Sequence, residues 1–252
     1  MNSHAPSADL TRRQIIKQFS LCTAASIIGG KLWTGRVLAD LNAGGNVGVI
    51  QIKIADYPAL ASDYGSVQFK FNSSIGTYFP FTVTRSPGNV FHAVDTRCTH
   101  EAGVVGPYDV GNGYMECPLH FSQFDMTGQV LSGQAQSNLT TYATSFNSTT
   151  GIVCVGIPGI ATRIRTVNVQ STTASTIRLH LQFPTLNNTF TYRVQYQQTL
   201  TDAPVFVTFA TSAGGVANQN QVSGNGLPRS VYVDATGTSG FFTVALIVSP
   251  YS

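Results

Sequence analysis

Hydrophobic and polar residues alternate along much of the chain after residue 46, and this period-2 pattern is typical of half-buried β-strands. No helical pattern of normal length is present in the first half of this region. The alternation there predicts six strands, at Val47–Ile54, Gly65–Phe71, Tyr78–Val83, Val90–Val94, Thr140–Phe146 and Ile152–Val155. Turn sequences at Ser86–Asn89 and Asn147–Gly151 join neighbouring strands. We therefore predict an all-β fold built on an antiparallel sheet.

The composition changes after Pro158-Gly159, and the part from Ala161 onward contains neither Cys nor Lys. Its period-2 runs recur at intervals of about 12 residues with polar turns between them, as in immunoglobulin or fibronectin-III sandwiches. No Cys–Trp–Cys signature supports that analogy. We predict two domains, at 40–160 and 161–252, and expect the first to fold without the second.

Charge patterning limits the classes of partner. Only 10% of residues are charged, and five of the fourteen basic residues precede residue 40. From Asp40 onward nine Lys/Arg face ten Asp/Glu, a net charge of −1. Nothing in this balance indicates a nucleic-acid or acidic-lipid partner.

The basic N-terminus resembles a twin-arginine export signal, with Arg12-Arg13 in a Thr-Arg-Arg context. An apolar run at Phe19–Gly30 follows, then Val37-Leu38-Ala39, a cleavage site of the A-x-A kind. The run is short of the ~20 residues that span a bilayer, which favours cleavage over a retained anchor. We predict a signal peptide at 1–39 and a periplasmic or otherwise exported protein. A cytosolic basic helix is the alternative.

Two Cys-plus-His pairs are the chemical centre of the sequence. Cys98-Thr99-His100 is followed, after sixteen mostly irregular residues, by Cys117-Pro118-Leu119-His120. Two loop tips of this composition predict a four-ligand metal site. Structural zinc is an alternative, but zinc spacings favour two cysteines in one half and two histidines in the other. Colour distinguishes them, because a zinc protein is colourless.

The residues after His120 resemble the Rieske family. Phe121–Gly128 contains a Ser, an aromatic-Asp pair and a Thr-Gly turn, and Val130–Gly133 and Asn138–Tyr142 are also similar to the family. The resemblance extends from roughly Gly48 to Ile157.

This resemblance implies a [2Fe–2S] cluster with Cys98 and Cys117 on one iron and His100 and His120 on the other. It implies an antiparallel β base carrying a small cluster-binding subdomain, with both histidines at the surface where electrons enter and leave. In family members that have it, the Ser at position 122 hydrogen-bonds a cluster sulfur.

Several departures argue against the quinol-oxidising respiratory branch without excluding it. That branch joins its two ligand loops by a disulfide, and the matching positions here are Gly103 and Leu119. Phe124 stands where the branch often has Tyr, and Phe121 replaces a customary Gly. Gln134 replaces a Pro in a loop that covers the cluster.

The leading hypothesis is an exported one-electron transfer protein or small subunit with redox-protein partners, among them a larger catalytic subunit or a c-type cytochrome. Export and the missing disulfide make it similar to the Rieske subunit of arsenite oxidase. A Rieske subunit of a membrane quinol–cytochrome c oxidoreductase would need a retained anchor, so membrane association depends on the signal. A third hypothesis is a surface interaction protein with a residual cluster. A Rieske oxygenase needs two further His and a carboxylate, and only His92 and His180 remain after residue 40.

Three more residues could be mistaken for functional ones. Cys154 lies in an apolar setting that predicts a buried, inert thiol. We predict that His92 is an ordinary strand histidine and that His180 is solvent-exposed.

Overall fold

The computed structural model describes residues 25–28, 31–33, 47–71, 80–160, 162–173, 175–186, 190–199, 202, 204–236 and 239–251. Across these ranges the only helical segments are two short 3-10 turns, at Ile54–Asp56 and Pro58–Ala61. The predicted all-β class is therefore confirmed. No helix in the described part of the chain is both long and apolar enough to cross a bilayer.

The described residues form nineteen β-strands. In chain order they are β1 (Ala25–Ile28), β2 (Lys31–Trp33), β3 (Val47–Lys53), β4 (Ser66–Lys70), β5 (Phe81–Ser86), β6 (Val90–Asp95), β7 (Met115–Glu116), β8 (Gln123–Phe124), β9 (Val130–Ser132), β10 (Thr141–Asn147), β11 (Ile152–Pro158), β12 (Thr166–Thr172), β13 (Ile177–Phe183), β14 (Thr191–Gln197), β15 (Val205–Val207), β16 (Val222–Ser223), β17 (Arg229–Ala235), β18 (Ser239–Ile247) and β19 (Ser249–Pro250).

The base of the molecule is a seven-stranded antiparallel sheet in the order β19-β4-β5-β6-β10-β11-β3. Both predicted hairpins are present, because Ser86 pairs with Val90 across β5–β6 and Asn147 pairs with Ile152 across β10–β11. The alternation places one face of each strand in the interior. Ile50 and Ile52 of β3 are almost fully buried, as the period-2 pattern predicts.

A second, much smaller sheet, β7-β8-β9, lies between β6 and β10 in the sequence. It has a hydrophobic cluster of its own, separate from that of the base. The buried members of this cluster are Val94, Cys98, Val105, Met115, Cys117, Phe124, Ala135 and Leu139. Both predicted thiolate ligands are therefore part of the interior of this small subdomain.

Two further sheets form the C-terminal part. One has the order β12-β13-β17, and the other has the order β15-β14-β18-β1-β2 with β16 also on β14. Inward residues alternate as predicted, since Leu179, Leu181 and Phe183 of β13 are buried. The immunoglobulin or fibronectin-III likeness stays a prediction.

Strand β1 comes from the apolar run of the predicted signal peptide and β2 follows that run, still within 1–39; Ala25–Ile28 pairs with β18. The Arg12-Arg13 motif and the 37–39 cleavage site lie outside the described residues. Cleavage after residue 39 would remove both strands from the sheet, and the signal prediction stays a prediction.

The base and the C-terminal part share one continuous hydrophobic core. Phe71, just after β4, packs on Phe190, just before β14, with ring centroids 5.3 Å apart. Strand β19 returns to the base and pairs with β4, so Ser249 lies opposite Lys70. Ile160, at the predicted boundary, is fully buried. The domain boundary stays a prediction, but the base and the C-terminal part pack closely where they meet.

Two of the exposure predictions were wrong. Cys154 is half-buried and forms no disulfide, and its side chain lies on the opposite face of β11 from the buried Val153 and Val155. His180 is half-buried and stacks on Tyr232, with ring centroids 4.8 Å apart and planes inclined by 14°. His92 is a strand histidine as predicted, and its Nε2 lies 3.0 Å from the Ser86 hydroxyl.

Candidate metal centre

The first ligand loop leaves the base sheet at the end of β6 and folds back on itself. Thr96 anchors its start, because its hydroxyl donates to the Pro80 carbonyl at 2.6 Å and its own carbonyl accepts from Val105 N–H at 2.8 Å. The Cys98 N–H donates to the Gly103 carbonyl at 2.8 Å, which closes the loop around His100. Backbone hydrogen bonds thus fix the loop without regular secondary structure.

The second ligand loop is a tight turn between β7 and β8. Cys117 N–H donates to the Ser122 carbonyl at 2.9 Å, and Phe121 N–H donates back to the Cys117 carbonyl at 2.9 Å. Phe121 adopts φ +56°, in the left-handed region that favours glycine. The turn directs Cys117 inward and brings His120 to the rim.

The four predicted ligands meet as two pairs in different environments. Cys98 and Cys117 are 4% and 1% exposed, whereas His100 is exposed and His120 is intermediate. The two imidazole rings lie 4.8 Å apart between centroids, with planes inclined by 85°. This arrangement separates a buried sulfur side from a surface nitrogen side.

The environment of the Cys117 thiol combines opposing effects. Burial raises the pKa of Cys117, and the neighbouring Cys98 raises it further. The backbone N–H groups of Leu119 and His120 lower it, because they hydrogen-bond the sulfur. Such N–H groups stabilise negative charge on sulfur. The site therefore holds two thiols side by side with donors in place for a thiolate.

The His120 ring provides the test of fit for a metal group. Its Nδ1 is buried and has no hydrogen-bond partner. Glu101 Oε2 lies 3.3 Å from it, but the contact lacks hydrogen-bond geometry. A buried ring nitrogen without a hydrogen bond is a rare state in folded proteins, and iron ligation would satisfy it. The donor set of two thiols and two imidazoles fits an iron–sulfur group of mixed ligation.

Glu101 belongs to the same rim. The donor atoms of His100, Glu101 and His120 all lie within 4.8 Å of one another. Along the chain Glu101 directly follows His100. The fold brings it to His120 as well, and no sequence pattern predicted that approach.

Ser122 lies under the second loop and is fully buried. Its hydroxyl oxygen accepts from Ala135 N–H at 3.0 Å, which leaves its proton available to donate. Gly133 makes this contact possible: it has φ +93°, and a Cβ there would lie 2.5 Å from Ser122 Cα. The β9–β10 loop thus holds the hydroxyl in place.

The two ligand loops contact each other where the resemblance implied a missing disulfide. A Cβ at Gly103 would lie 2.7 Å from Leu119 Cδ1 and 3.1 Å from Cys117 Sγ. The Leu119 side chain therefore covers Gly103, and an apolar contact joins the loops. Phe124 is fully buried in the same small cluster as both thiols.

Comparison with known proteins gives a family match for part of the chain. Residues 62–143 match the family model of the Rieske [2Fe-2S] domain. The chain is similar to the cyanobacterial plasma membrane Rieske protein PetC3 from Synechocystis PCC 6803, at 34% identity over 35% of this chain and 84% of that chain, with a TM-score of 0.29.

Two monooxygenases are also similar to this chain. The quaternary ammonium monooxygenase CntA, in a crystal structure with an inhibitor, has 9% identity over 79% of this chain and 69% of that chain, with a TM-score of 0.37. Apo dicamba monooxygenase has 13% identity over 78% of this chain and 75% of that chain, with a TM-score of 0.32.

The family match and the donor set define the class: the chain contains a Rieske [2Fe-2S] domain. Its cofactor is a Rieske-type [2Fe–2S] cluster, which supports a role in electron transfer. Cys98, His100, Cys117 and His120 are the residues that would hold it. When bound, the cluster takes up and releases one electron.

Proposed function

We propose that this protein is an exported one-electron carrier, or the electron-transfer subunit of a larger oxidoreductase. One observation supports this proposal above the others. The two thiols are buried, and the two imidazoles lie at the surface. A partner can therefore approach the histidine side closely while the sulfur side stays shielded from water.

Three features of the site support electron transfer. The small hydrophobic cluster around Cys98 and Cys117 excludes water from the sulfur side. The N–H groups of Leu119 and His120 offset negative charge on Cys117. Ser122 offers a further donor, and such donors favour the reduced state because it carries one more negative charge.

The redox part of the proposal is tested by voltammetry and paramagnetic resonance on the intact purified protein. We expect a red-brown protein with a reversible one-electron wave at very roughly +50 to +200 mV near neutral pH, inside the range of Rieske centres. A wave near −400 mV would indicate a cluster held by four thiolates instead.

Export is tested separately, on the full chain with its N-terminus intact. Replacing Arg12 and Arg13 together by Lys should keep the red-brown protein inside the cell, because the export receptor recognises the Arg pair. Lys17→Arg is the matched control and should leave export unchanged. Export of the double variant at the normal level would contradict this route.

A further inference from the structure

Two large apolar side chains lie exposed beside the ligand His120. Leu119 is 53% exposed and Phe121 is 65% exposed, and they immediately precede and follow His120 in the second ligand loop. Neither side chain belongs to the hydrophobic core of the base or to the small cluster around the thiols. We call these two residues the docking pair.

The backbone of Phe121 adds a second observation. Its φ of +56° lies in the left-handed region, which glycine adopts freely and which is strained for a bulky residue such as Phe. Two contacts hold this conformation. The Phe121 N–H donates to the Cys117 carbonyl, and Gly133 packs close to the Phe121 carbonyl oxygen. A glycine at 121 would relieve the strain, and the exposed ring gives little burial in return. Backbone strain clusters at functional sites, and of the three non-glycine residues with positive φ in the described part of the chain, Phe121 is the one beside a predicted ligand.

The segment from Cys98 to Leu139, which carries the docking pair, has charges of one sign. Between Cys98 and Leu139 the chain has no Lys or Arg, and the nearest basic residues on either side are Arg97 and Arg163. The same segment carries four acidic residues, Glu101, Asp109, Glu116 and Asp125. Glu101 is exposed and lies on the histidine rim itself.

We propose that Leu119 and Phe121 form the docking surface for a redox protein whose cofactor edge is apolar and is surrounded by Lys and Arg side chains. The inference rests on the proposed electron-transfer function and names the chemistry of the partner. Exposed aromatic and aliphatic anchors supply contact energy at the centre of an interface. The acidic surround attracts a basic partner and speeds its approach, and salt screens that attraction.

The test measures the second-order rate at which the reduced holoprotein is oxidised by each of two c-type cytochromes, one basic and one acidic. The wild type should react faster with the basic cytochrome, and that rate should fall as ionic strength rises from about 20 to about 200 mM. An equal or faster reaction with the acidic cytochrome would overturn the charge part of the proposal.

Phe121→Gly is the decisive variant, because glycine keeps the turn conformation and the ring is removed. We expect the rate with the basic cytochrome to fall by about tenfold or more, with an unchanged cluster spectrum and potential. Leu119→Ser should lower the rate in the same direction. Leu227→Ser is the control, since Leu227 is 63% exposed but lies in the C-terminal part.

Loss of an interface anchor produces a much larger decrease in rate than twofold. If the rate of Phe121→Gly lies within about twofold of the wild-type rate, the proposed docking surface is wrong. Oxidation by the small complex ferricyanide, whose reduction potential lies well above that expected for the protein, needs no docking surface and separates the two claims. If the small complex oxidises the wild type but Phe121→Gly reacts with the basic cytochrome as fast as the wild type does, the docking surface is refuted and the electron-transfer function stands. If the wild type exchanges electrons with neither, the electron-transfer function fails.

Discussion

The cluster-binding region, residues 96–139, and the C-terminal region, residues 162–251, are built in opposite ways. The first has three strands of two or three residues and is otherwise loops fixed by backbone hydrogen bonds. The second is dominated by strands of seven to nine residues whose inward side chains join the main hydrophobic core. All four ligands lie in the first region.

This difference shows where each kind of stability comes from. Long alternating strands gain their stability from apolar burial, and they tolerate variation on their outer face. Ligand loops bury few side chains, so tight turns, glycines and hydrogen bonds must fix their shape. Changes of ligand side chains in the first region should therefore affect the cluster more than stability, and changes of core side chains in the second region the reverse.

The largest effect should follow loss of a ligand. Replacing Cys98, His100, Cys117 or His120 by Ala should abolish the red-brown colour and the paramagnetic signal of the reduced protein, because each iron needs both of its protein ligands. His180→Ala, in the C-terminal region, is the control and should keep both. Full cluster occupancy in His100→Ala would refute that ligand.

A core change in the C-terminal region should have the complementary effect. Phe190→Ala removes the ring that packs on Phe71 at the joint of the two regions. We expect a loss of about 3–5 kcal/mol in the free energy of unfolding, as for large buried aromatic residues. Denaturant titration with simultaneous visible spectra would check it, and a changed cluster spectrum before unfolding would contradict the separation of roles.

A chain ending after Arg163 lacks every strand of the C-terminal region and tests whether the cluster site needs that region. It retains every ligand, so we expect it to bind the cluster, but it exposes the Phe71 side of the base and removes β19 from β4. Its midpoint of thermal unfolding should be well below that of the full chain. Absence of the cluster from a folded truncated protein would show that the C-terminal region supports the site.

Two glycines with positive φ allow a matched comparison of backbone strain. Gly133→Ala places a Cβ 2.5 Å from Ser122 Cα, whereas a Cβ at Gly226 meets nothing within 4 Å. We expect a cost of about 2–4 kcal/mol at Gly133, from strain plus overpacking, and about 1 kcal/mol at Gly226, from strain alone. Thermal unfolding of both variants measures the difference, and equal losses would show that the Ser122 contact relaxes easily.

Ser122→Ala should change the reduction potential rather than the fold. The hydroxyl is fixed by Ala135 N–H, and its proton is available to a cluster sulfur. Losing one such hydrogen bond should lower the potential by about 50 mV, which corresponds to about 1 kcal/mol for one electron. Ser132→Ala is the control, because that hydroxyl donates to Gln123 on the exposed side. An unchanged potential in Ser122→Ala would contradict this role.

Phe124→Tyr should raise the potential if the added hydroxyl reaches a ligand sulfur.

The smallest effect concerns an exposed ion pair in the C-terminal region. Arg178 donates to both carboxylate oxygens of Asp234 at 2.7 Å and lowers the pKa of Asp234. Because the folded-state pKa is the lower one, this stability is fully present above the unfolded pKa of about 4 and is lost as the pH falls through the folded pKa.

Asp234→Asn should therefore unfold about 1–2 °C below the wild type at pH 7, and the two should converge near pH 2. The cluster spectrum at pH 7 should be identical in both. A gap that widens in acid would contradict the assigned sign.

Sequence patterns predicted the strands well wherever alternation was long, as in β3, β13 and β14. They missed β8, β9, β16 and β19, because strands of two or three residues carry no period. They also missed the seven-residue β12 and the strands β1 and β2 within the predicted signal peptide. The ligand pairs were predicted from spacing and family resemblance, and the structure brings them together as two pairs. The approach of Glu101 to His120, the contact of Ala135 with Ser122 and the packing of Phe71 on Phe190 depend on the tertiary fold, so no local pattern carried them.

The contact between Gly103 and Leu119 also bears on how the cofactor enters and leaves the protein. A covalent link would keep the two loops together through every local fluctuation. The Gly103–Leu119 contact and the shared burial of Cys98 and Cys117 are noncovalent, so a local opening that costs less than global unfolding can break them. Insertion of a preformed cluster then needs only a transient local opening. The same opening makes release measurable, so cluster loss to a chelator should outpace global unfolding under native conditions.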